Sequence, residues 1–298
     1  MLPDGLDLSP KVPLHPVRWN GAPEPPPPQP VLATTEIFVL PYMGLAENAA
    51  LAASMPRLRV VQALTAGVDG IAERLPAGVI LCNAVGVHDA STAELALGLM
   101  IAAQRGLDDA ARDTVEGRWD HRTRRTLADS RVLVVGWGGV GRAIGARLAP
   151  FEVDVVPVAR SARPGVRGIE ELDGLLPSAD IVVLAVPLTT ATRGLLDARR
   201  LALLSSDALV VNMARGPVID TDALVAELST GRLRAALDVT DPEPLPADHP
   251  LWRAPGVLIT PHIGGDTTAF PPRAQELLTA QVRRYCAGEP LVGVVAIT

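Results

Sequence analysis

Three side chains of complementary chemistry follow three successive apolar stretches in the second half of the chain. They are Arg215 in VVNMARGPVID, Glu243 in LDVTDPEPL and His262 in LITPHIGGDT. Reduction of a carbonyl needs a group that gives a proton to the developing alkoxide and a cation that orients a substrate carboxylate. A histidine whose tautomer is fixed by a glutamate can exchange the proton, and an arginine can bind the carboxylate. Alone, each residue would more often be structural or solvated; together they predict a catalytic set.

A glycine-rich segment upstream provides a place for a hydride carrier. The letters GWGGVG match the pattern G-x-G-x-x-G, directly after the apolar run VLVV and before the helical pattern RAIGARLA. The first glycine permits a tight turn, the second lets the backbone approach a pyrophosphate, and the third lets helix and strand pack closely. The helix N-terminus then presents the positive end of its dipole to the phosphates. The residues predicted to hold a dinucleotide here are Gly136, Gly138, Gly139, Val140 and Gly141.

The end of the second strand decides which dinucleotide the segment favours. A site that prefers NAD places Asp or Glu about 20 residues beyond the glycines, to bind the ribose 2′-hydroxyl. Here VVPVARS offers Arg160 and Ser161 instead. An arginine fork with a hydroxyl can bind a 2′-phosphate, so NADP is the predicted cofactor. The alternative is that Arg160 is a solvated side chain and that both NADP and NAD are used.

The elements that position these residues alternate between strand and helix. Runs such as VLVVG, ADIVVLAVP and DALVVNMA are almost continuously apolar, which is typical of parallel strands covered on both faces. One long helical pattern from Ser91 to Trp119, capped at Ser91 or Thr92, is predicted to cross between two domains. The sequence therefore predicts an α/β protein with a doubly wound parallel sheet of the Rossmann type.

The composition limits the partners of the chain. With 298 residues, 48% of them hydrophobic, it can form about two domains. A net charge of −6 and the lack of a Lys/Arg-rich cluster argue against binding to nucleic acid or to an anionic membrane. No long uninterrupted apolar stretch and no typical leader is found, so we expect a soluble protein with a small-molecule partner.

Two residue types exclude further kinds of chemistry. Cys82 and Cys286 lie far apart and outside any C-x-x-C spacing, which predicts neither a disulfide framework nor a metal site. This cysteine usage fits a reducing cytoplasm. Lys11 is the single lysine, which disfavours Schiff-base catalysis and a G-K-[ST] phosphate loop.

Several motifs together resemble the D-isomer-specific 2-hydroxyacid dehydrogenase family, from about Leu58 to Phe270. They are TAGVDGI, CNAVGVHDASTAELALGLM, VPLTTATRGLLD, NMARGPVID, LDVTDPEPL and TPHIGG. The resemblance implies hydride transfer between NAD(P)H and a small 2-oxo acid, giving a D-2-hydroxy acid. Reduction with NADPH of an acid such as glyoxylate or hydroxypyruvate is the expected direction. It also implies a homodimer, with the cleft of each chain between a Rossmann domain and a smaller flavodoxin-like α/β substrate domain.

The resemblance also assigns roles to residues at matching positions. It implies that the N–H groups of Gly67 and Val68, together with Arg215, bind the substrate carboxylate. Glu243 and His262 correspond to the acid–base pair of the family. The further cofactor residues that it implies are Pro187, Thr192, Ala214, Asp238 and Gly264.

The predicted domains are a substrate domain formed by 1–93 and 266–298 and a dinucleotide-binding domain formed by 94–265. Residues 1–30 are predicted to be a proline-rich lead-in to the first. The alternative function is a cofactor-sensing, corepressor-like binding protein of the same fold, because transcriptional corepressors resemble this family. A methyltransferase shares a glycine-rich turn but has no use for the arginine, glutamate and histidine series.

Two further residues have two interpretations each. Trp137, inside the glycine loop, is predicted to pack against a neighbour, and the alternative is that it covers the cofactor. His88 is predicted to be a solvated loop histidine, and the alternative is that it faces the cleft.

Overall fold

A computed structural model describes residues 1–3, 5–7, 14–42 and 44–298. The chain forms two compact units, one made of Met1–His88 with Thr267–Thr298 and the other of Asp89–Asp266. The α/β fold class predicted for both parts is confirmed. Lys11 and part of the proline-rich lead-in lie outside the described residues.

The strands and helices alternate along most of the chain. The strands are β1 (Ile37–Val39), β2 (Val60–Gln62), β3 (Ile80–Cys82), β4 (Arg131–Val135), β5 (Asp154–Ala159), β6 (Arg167–Gly168), β7 (Ile181–Leu184), β8 (Leu209–Asn212), β9 (Arg234–Leu237), β10 (Val257–Ile259) and β11 (Val294–Ile297). The α-helices are α1 (Gln29–Leu32), α2 (Leu45–Ala49), α3 (Asp89–Arg105), α4 (Leu107–Val115), α5 (Gly139–Leu148), α6 (Leu172–Leu175), α7 (Ala198–Leu203), α8 (Thr221–Ser229) and α9 (Phe270–Ala287).

The second unit contains a seven-stranded sheet in the order β10-β9-β8-β7-β4-β5-β6, in which every pairing is parallel. Side chains of β4 alternate between two cores, with Leu133 and Val135 on one face and Val132 and Val134 on the other. All four are fully buried, which explains why the strand is continuously apolar in sequence. The strand order reverses next to β4, and in such sheets ligands bind at the carboxyl ends of the strands beside the reversal.

The first unit is built on a smaller mixed sheet with the order β1-β2-β3-β11. The first three strands are parallel, and β11 pairs antiparallel with β3 at the edge. Phe38 and Val39 of β1 belong to two different cores, so helices and loops cover both faces of this sheet as well. Leu278 and Val282 bring α9 onto the core that contains Val39.

The predicted single helix from Ser91 to Trp119 is wrong in two respects. The helix begins at Asp89, before the predicted cap, and it ends at Arg105. Gly106 then adopts a left-handed conformation with φ 61°, and α4 follows as a separate helix. A left-handed residue cannot continue an α-helix, and glycine adopts this conformation without a steric penalty.

Within the described part of the chain, every helix is too short or too polar to cross a bilayer.

Candidate active site

The glycine loop connects β4 to α5 in a tight turn. Gly136 has φ 107°, and a Cβ there would collide with the carbonyl of Ala185, which follows β7. A Cβ on Gly141 would collide with the carbonyl of Gly136, so only glycine lets α5 pack this closely on the turn. Gly138, by contrast, is the N-cap of α5 and has open space around its Cβ position. The start of α5 therefore presents backbone N–H groups beside open space, at the position where the sequence motif predicts a pyrophosphate.

Gly139 leaves room for a side chain that the sequence motif did not indicate. A Cβ at this position would collide with the carboxylate of Asp89, the first residue of α3. The acidic side chain therefore lies against the first turn of α5, beside the glycine loop. Because α3 and α5 are distant in sequence, this contact follows from packing and could not be read from the motif.

Trp137 packs on α5, as predicted. Its ring occupies the space that a Cβ on Gly145 would need, and its side chain contacts the core shared by α3 and α5. The indole therefore packs within the second unit.

Arginines gather where the ribose end of a dinucleotide is expected. Arg160 and Ser161 are exposed directly after β5. Two arginines that the sequence interpretation missed donate to the glycine loop: Nη1 of Arg142 is 3.2 Å and Nη2 of Arg163 is 3.5 Å from the carbonyl oxygen of Trp137. The sequence offered one signal for this second arginine, because Arg163 follows Arg160 by three residues. This part of the loop is positively charged.

The loop after β7 joins two of the predicted cofactor residues. The hydroxyl of Thr192 donates to the carbonyl of Pro187 at 2.6 Å and accepts from the N–H of Thr189 at 2.8 Å. These bonds close a compact turn at the same edge of the sheet as the glycine loop.

A buried asparagine shapes the turn that carries Arg215. Asn212, the last residue of β8, accepts from the N–H of Ala214 and donates to the carbonyl of Arg215, both at 3.0 Å. A Cβ on Gly216 would collide with the carbonyl of Thr240, so this turn also packs on the segment after β9. Asn212 was not predicted, because its amide acts on the backbone and carries no chemistry of its own.

Asp238 organises the turn that carries His262. The residue is 3% exposed, and its carboxylate accepts from the Thr260 hydroxyl at 2.6 Å and from the N–H groups of Ile263 and Gly264, both at 2.9 Å. Its carbonyl also accepts from the N–H of His262 at 2.8 Å. The residue was predicted for the nicotinamide side, and its carboxylate ties the end of β9 to the turn after β10.

Glu243 and His262 meet in a direct hydrogen bond. The distance from Nδ1 to Oε1 is 2.5 Å, and the two side chains are 45% and 39% exposed for histidine and glutamate. Nε2 of His262 has no hydrogen-bond partner among the described residues, so it is available to a ligand. His262 also has φ 55°, a left-handed conformation that is rare for a residue with a side chain and that concentrates at functional sites.

Charges around the pair favour an ionised glutamate. Partial burial raises the pKa of the Glu243 carboxyl, but the hydrogen bond and charge of His262, a backbone hydrogen bond with Thr240 and the charge of Arg215 lower it. The net pKa lies below the ordinary value for glutamate. A carboxylate that stays ionised fixes the proton of the imidazole on Nδ1 and stabilises the imidazolium.

Of the other predicted residues, Val140 lies in the first turn of α5. Gly67 and Val68 lie in the first unit, in the loop that follows β2. The described residues contain no group of three or more histidine, cysteine, aspartate or glutamate side chains that could hold a metal ion.

The glycine loop makes a direct prediction about cofactor binding. Gly138→Ala should leave the melting temperature unchanged, because the new methyl group meets no protein atom, but it should weaken NADPH binding at least tenfold by filling the space for the pyrophosphate. Gly174→Ala, also at a position with open space, is the matched control. Titration of protein fluorescence with NADPH measures the effect, and equal affinities for both variants would contradict the assignment.

Comparisons with known proteins agree with this geometry. Residues 97–264 match the family model described as D-isomer specific 2-hydroxyacid dehydrogenase, NAD binding domain. A glyoxylate reductase from Thermofilum pendens is 34% identical over 78% of this chain and 74% of its own length. A D-3-phosphoglycerate dehydrogenase from Methanocaldococcus jannaschii is 33% identical over 80% of this chain, which spans only 48% of that longer protein.

A solved structure from Xanthobacter autotrophicus Py2 is also similar. It is a D-isomer specific 2-hydroxyacid dehydrogenase in complex with NADPH and MES, with 36% identity and a TM-score of 0.77 over 89% of this chain and 85% of that one. The family model covers more than half of the chain, and the relatives match well beyond it. The chain therefore belongs to the D-isomer-specific 2-hydroxyacid dehydrogenase family, whose members are NAD(P)-dependent oxidoreductases.

Proposed function

We propose that the protein reduces small 2-oxo acids, of the size of glyoxylate or hydroxypyruvate, to D-2-hydroxy acids and prefers NADPH. The observation that carries this proposal is the hydrogen bond between Glu243 and His262, which leaves Nε2 of the imidazole available to a substrate. The glyoxylate reductase from Thermofilum pendens supports the substrate class. The comparisons give no support to the alternative of a cofactor-sensing corepressor.

The site residues divide the reaction between them. When bound, NADPH supplies the hydride that adds to the carbonyl carbon of the substrate. His262 gives the proton on Nε2 to the carbonyl oxygen, so that the C=O bond becomes CH–OH and the imidazole is left neutral. Glu243 holds Nδ1 and stabilises the imidazolium before transfer. Arg215 binds the substrate carboxylate and places the carbonyl for the transfer.

The cofactor preference rests on charge. An aspartate or glutamate at the end of β5 would repel a 2′-phosphate, whereas Arg160 and Ser161 offer it a cation and a hydroxyl. Arg142 and Arg163 add positive potential beside the same loop. NADPH in the complex from Xanthobacter autotrophicus Py2 supports the preference.

The function is tested by a panel of 2-oxo acids assayed with NADPH and with NADH. We expect glyoxylate or hydroxypyruvate to be reduced with NADPH, followed as loss of nicotinamide absorbance, and the chiral product to be the D isomer. Binding of NADPH without turnover of any acid in the panel would refute the proposal and return the corepressor alternative.

The acid–base pair predicts two different kinetic effects. His262→Gln should lower the rate of 2-oxo acid reduction by about 10²–10⁴-fold without changing the affinity for NADPH, because the proton donor is lost. Glu243→Gln should lower the turnover number by less than the histidine variant does, because the proton donor stays but loses the carboxylate that holds Nδ1. His121→Gln, at an exposed position, is the control. A turnover number in the glutamate variant equal to that of the unmodified protein would contradict the role of the pairing.

Cofactor selectivity predicts a difference between the two dinucleotides. Arg160→Ala should raise the Michaelis constant for NADPH roughly 10- to 100-fold, the equivalent of about 1.5–3 kcal/mol for a charged hydrogen bond. The constant for NADH should hardly change, because NADH has no 2′-phosphate. Arg283→Ala, exposed and in the other unit, controls for the loss of one charge. Equal effects on both cofactors would remove Arg160 from the phosphate site.

A further inference from the structure

The loop after β2 has four successive backbone carbonyls that are all hydrogen-bonded within the first unit. The carbonyl of Leu64 accepts from Nε2 of His88 and that of Thr65 from the N–H of Ala84, both at 2.8 Å. The carbonyl of Ala66 accepts from Nδ2 of Asn83 at 2.8 Å. The carbonyl of Gly67 accepts from the hydroxyl of Thr65 at 2.7 Å.

Three N–H groups of the same loop lack hydrogen bonds within the described residues. Those of Ala66, Gly67 and Val68 have no hydrogen-bond acceptor in the part of the chain that the structure describes. A loop whose carbonyls are bonded and whose successive N–H groups are free presents donors only, and such a surface attracts an anion. The free N–H groups include both residues that the resemblance assigns to the substrate carboxylate.

Asn83 has one side-chain bond in the described structure, and that bond is to the loop. Its Nδ2 donates to Ala66, while its Oδ1 is buried and has no hydrogen-bond partner among the described residues. An unpaired buried oxygen costs about 1–3 kcal/mol, so general stability does not explain an asparagine here. The backbone of Asn83 is fixed independently, since its N–H donates to Gly293 at 2.9 Å and its carbonyl accepts from Gln62 at 3.1 Å. Other segments therefore fix the backbone of Asn83, and its side-chain amide bonds to the loop.

Aromatic neighbours orient the ring of His88 toward the loop. The side chain is 5% exposed, so the interpretation as a solvated loop histidine is wrong. The ring stacks on Phe270, with centroids 5.2 Å apart and an interplanar angle of 18°, and lies 5.8 Å from the ring of Tyr42. These contacts fix the plane of the imidazole, and the bond to the Leu64 carbonyl requires the proton on Nε2.

We propose that Asn83 and His88 are positioning residues that hold the 64–68 loop so that the N–H groups of Gly67 and Val68 bind the carboxylate of the 2-oxo acid. The inference rests on the proposed function for the identity of the anion. Neither side chain touches the substrate; both act through carbonyls one or more residues away from the binding N–H groups. Loss of either bond frees a carbonyl that can turn toward the anion and repel it.

The test uses the full chain and variants that remove the side-chain donor to the loop. His88→Phe keeps the aromatic stacking, Asn83→Leu keeps the approximate volume, and His88→Gln restores an N–H near the position of Nε2. Each of the first two should raise the Michaelis constant for glyoxylate and the inhibition constant of oxamate about tenfold or more. The turnover number and the affinity for NADPH should stay within about threefold, and His88→Gln should recover most of the loss.

Asn48→Leu is the matched control for a merely structural effect. Asn48 is also a buried asparagine of the first unit, and its side chain accepts from the N–H of Ala22, outside the 64–68 loop. Its replacement should lower the melting temperature without raising either constant. If Asn83→Leu and His88→Phe behave like this control, the positioning role is overturned.

Direct binding of oxamate, measured by calorimetry with NADPH present, separates this inference from the proposed function. Binding to the unmodified protein that weakens in both variants supports the inference even if no 2-oxo acid is reduced, in which case only the proposed function fails. Turnover with unchanged constants in the variants overturns the inference alone. A protein that neither reduces 2-oxo acids nor binds oxamate overturns both.

Discussion

The turn that carries His262 depends on one buried carboxylate. Burial of the Asp238 charge is unfavourable unless hydrogen bonds replace the lost water, and the Thr260 hydroxyl and two backbone N–H groups provide them. The same bonds join β9 to the turn after β10 and hold His262 in its left-handed conformation. Backbone strain of this kind persists only where the surroundings determine the conformation. Without the Asp238 carboxylate, the turn after β10 would lose the hydrogen bonds that fix the position of His262 relative to Glu243.

The parallel sheet explains why three residues far apart in sequence follow the same edge of the second unit. β8, β9 and β10 are neighbours in the order of the sheet, and Arg215, Glu243 and His262 follow their carboxyl ends in turn. The effect of the Arg215 charge on the pKa of Glu243 is the electrostatic result of this arrangement. Glycine at 216 lets the turn of Arg215 pack on the backbone of Thr240, so the spacing of the loops is set by backbone contact as well as by strand order.

Sequence patterns predicted the parts of the molecule that depend on local rules. The glycine loop, the buried strands and the order of the polar residues follow from turn chemistry and from the burial of both faces of the sheet. The break at Gly106 was missed because the apolar pattern continues through it, while the chain direction changes. Asn212, Asp89 and Arg163 were missed because their partners are backbone groups or side chains brought close only by packing. His88 was misassigned because it follows a loop segment, whereas its ring packs against Phe270 and Tyr42, which are distant in sequence.

Both proposed anion sites use backbone N–H groups, and this has a consequence for the reactive side chains. The start of α5 and the 64–68 loop present donors whose number and direction are set by the fold, so neither a lysine nor a metal is needed at these two positions to hold a pyrophosphate or a carboxylate. Neutral donors add no charge to either site. In the proposed reaction, Arg215 serves orientation and the imidazole of His262 exchanges the proton. In our proposal, the 64–68 loop binds the substrate carboxylate only while its carbonyls are bonded. Asn83 and His88 therefore set the affinity for the substrate without contacting it.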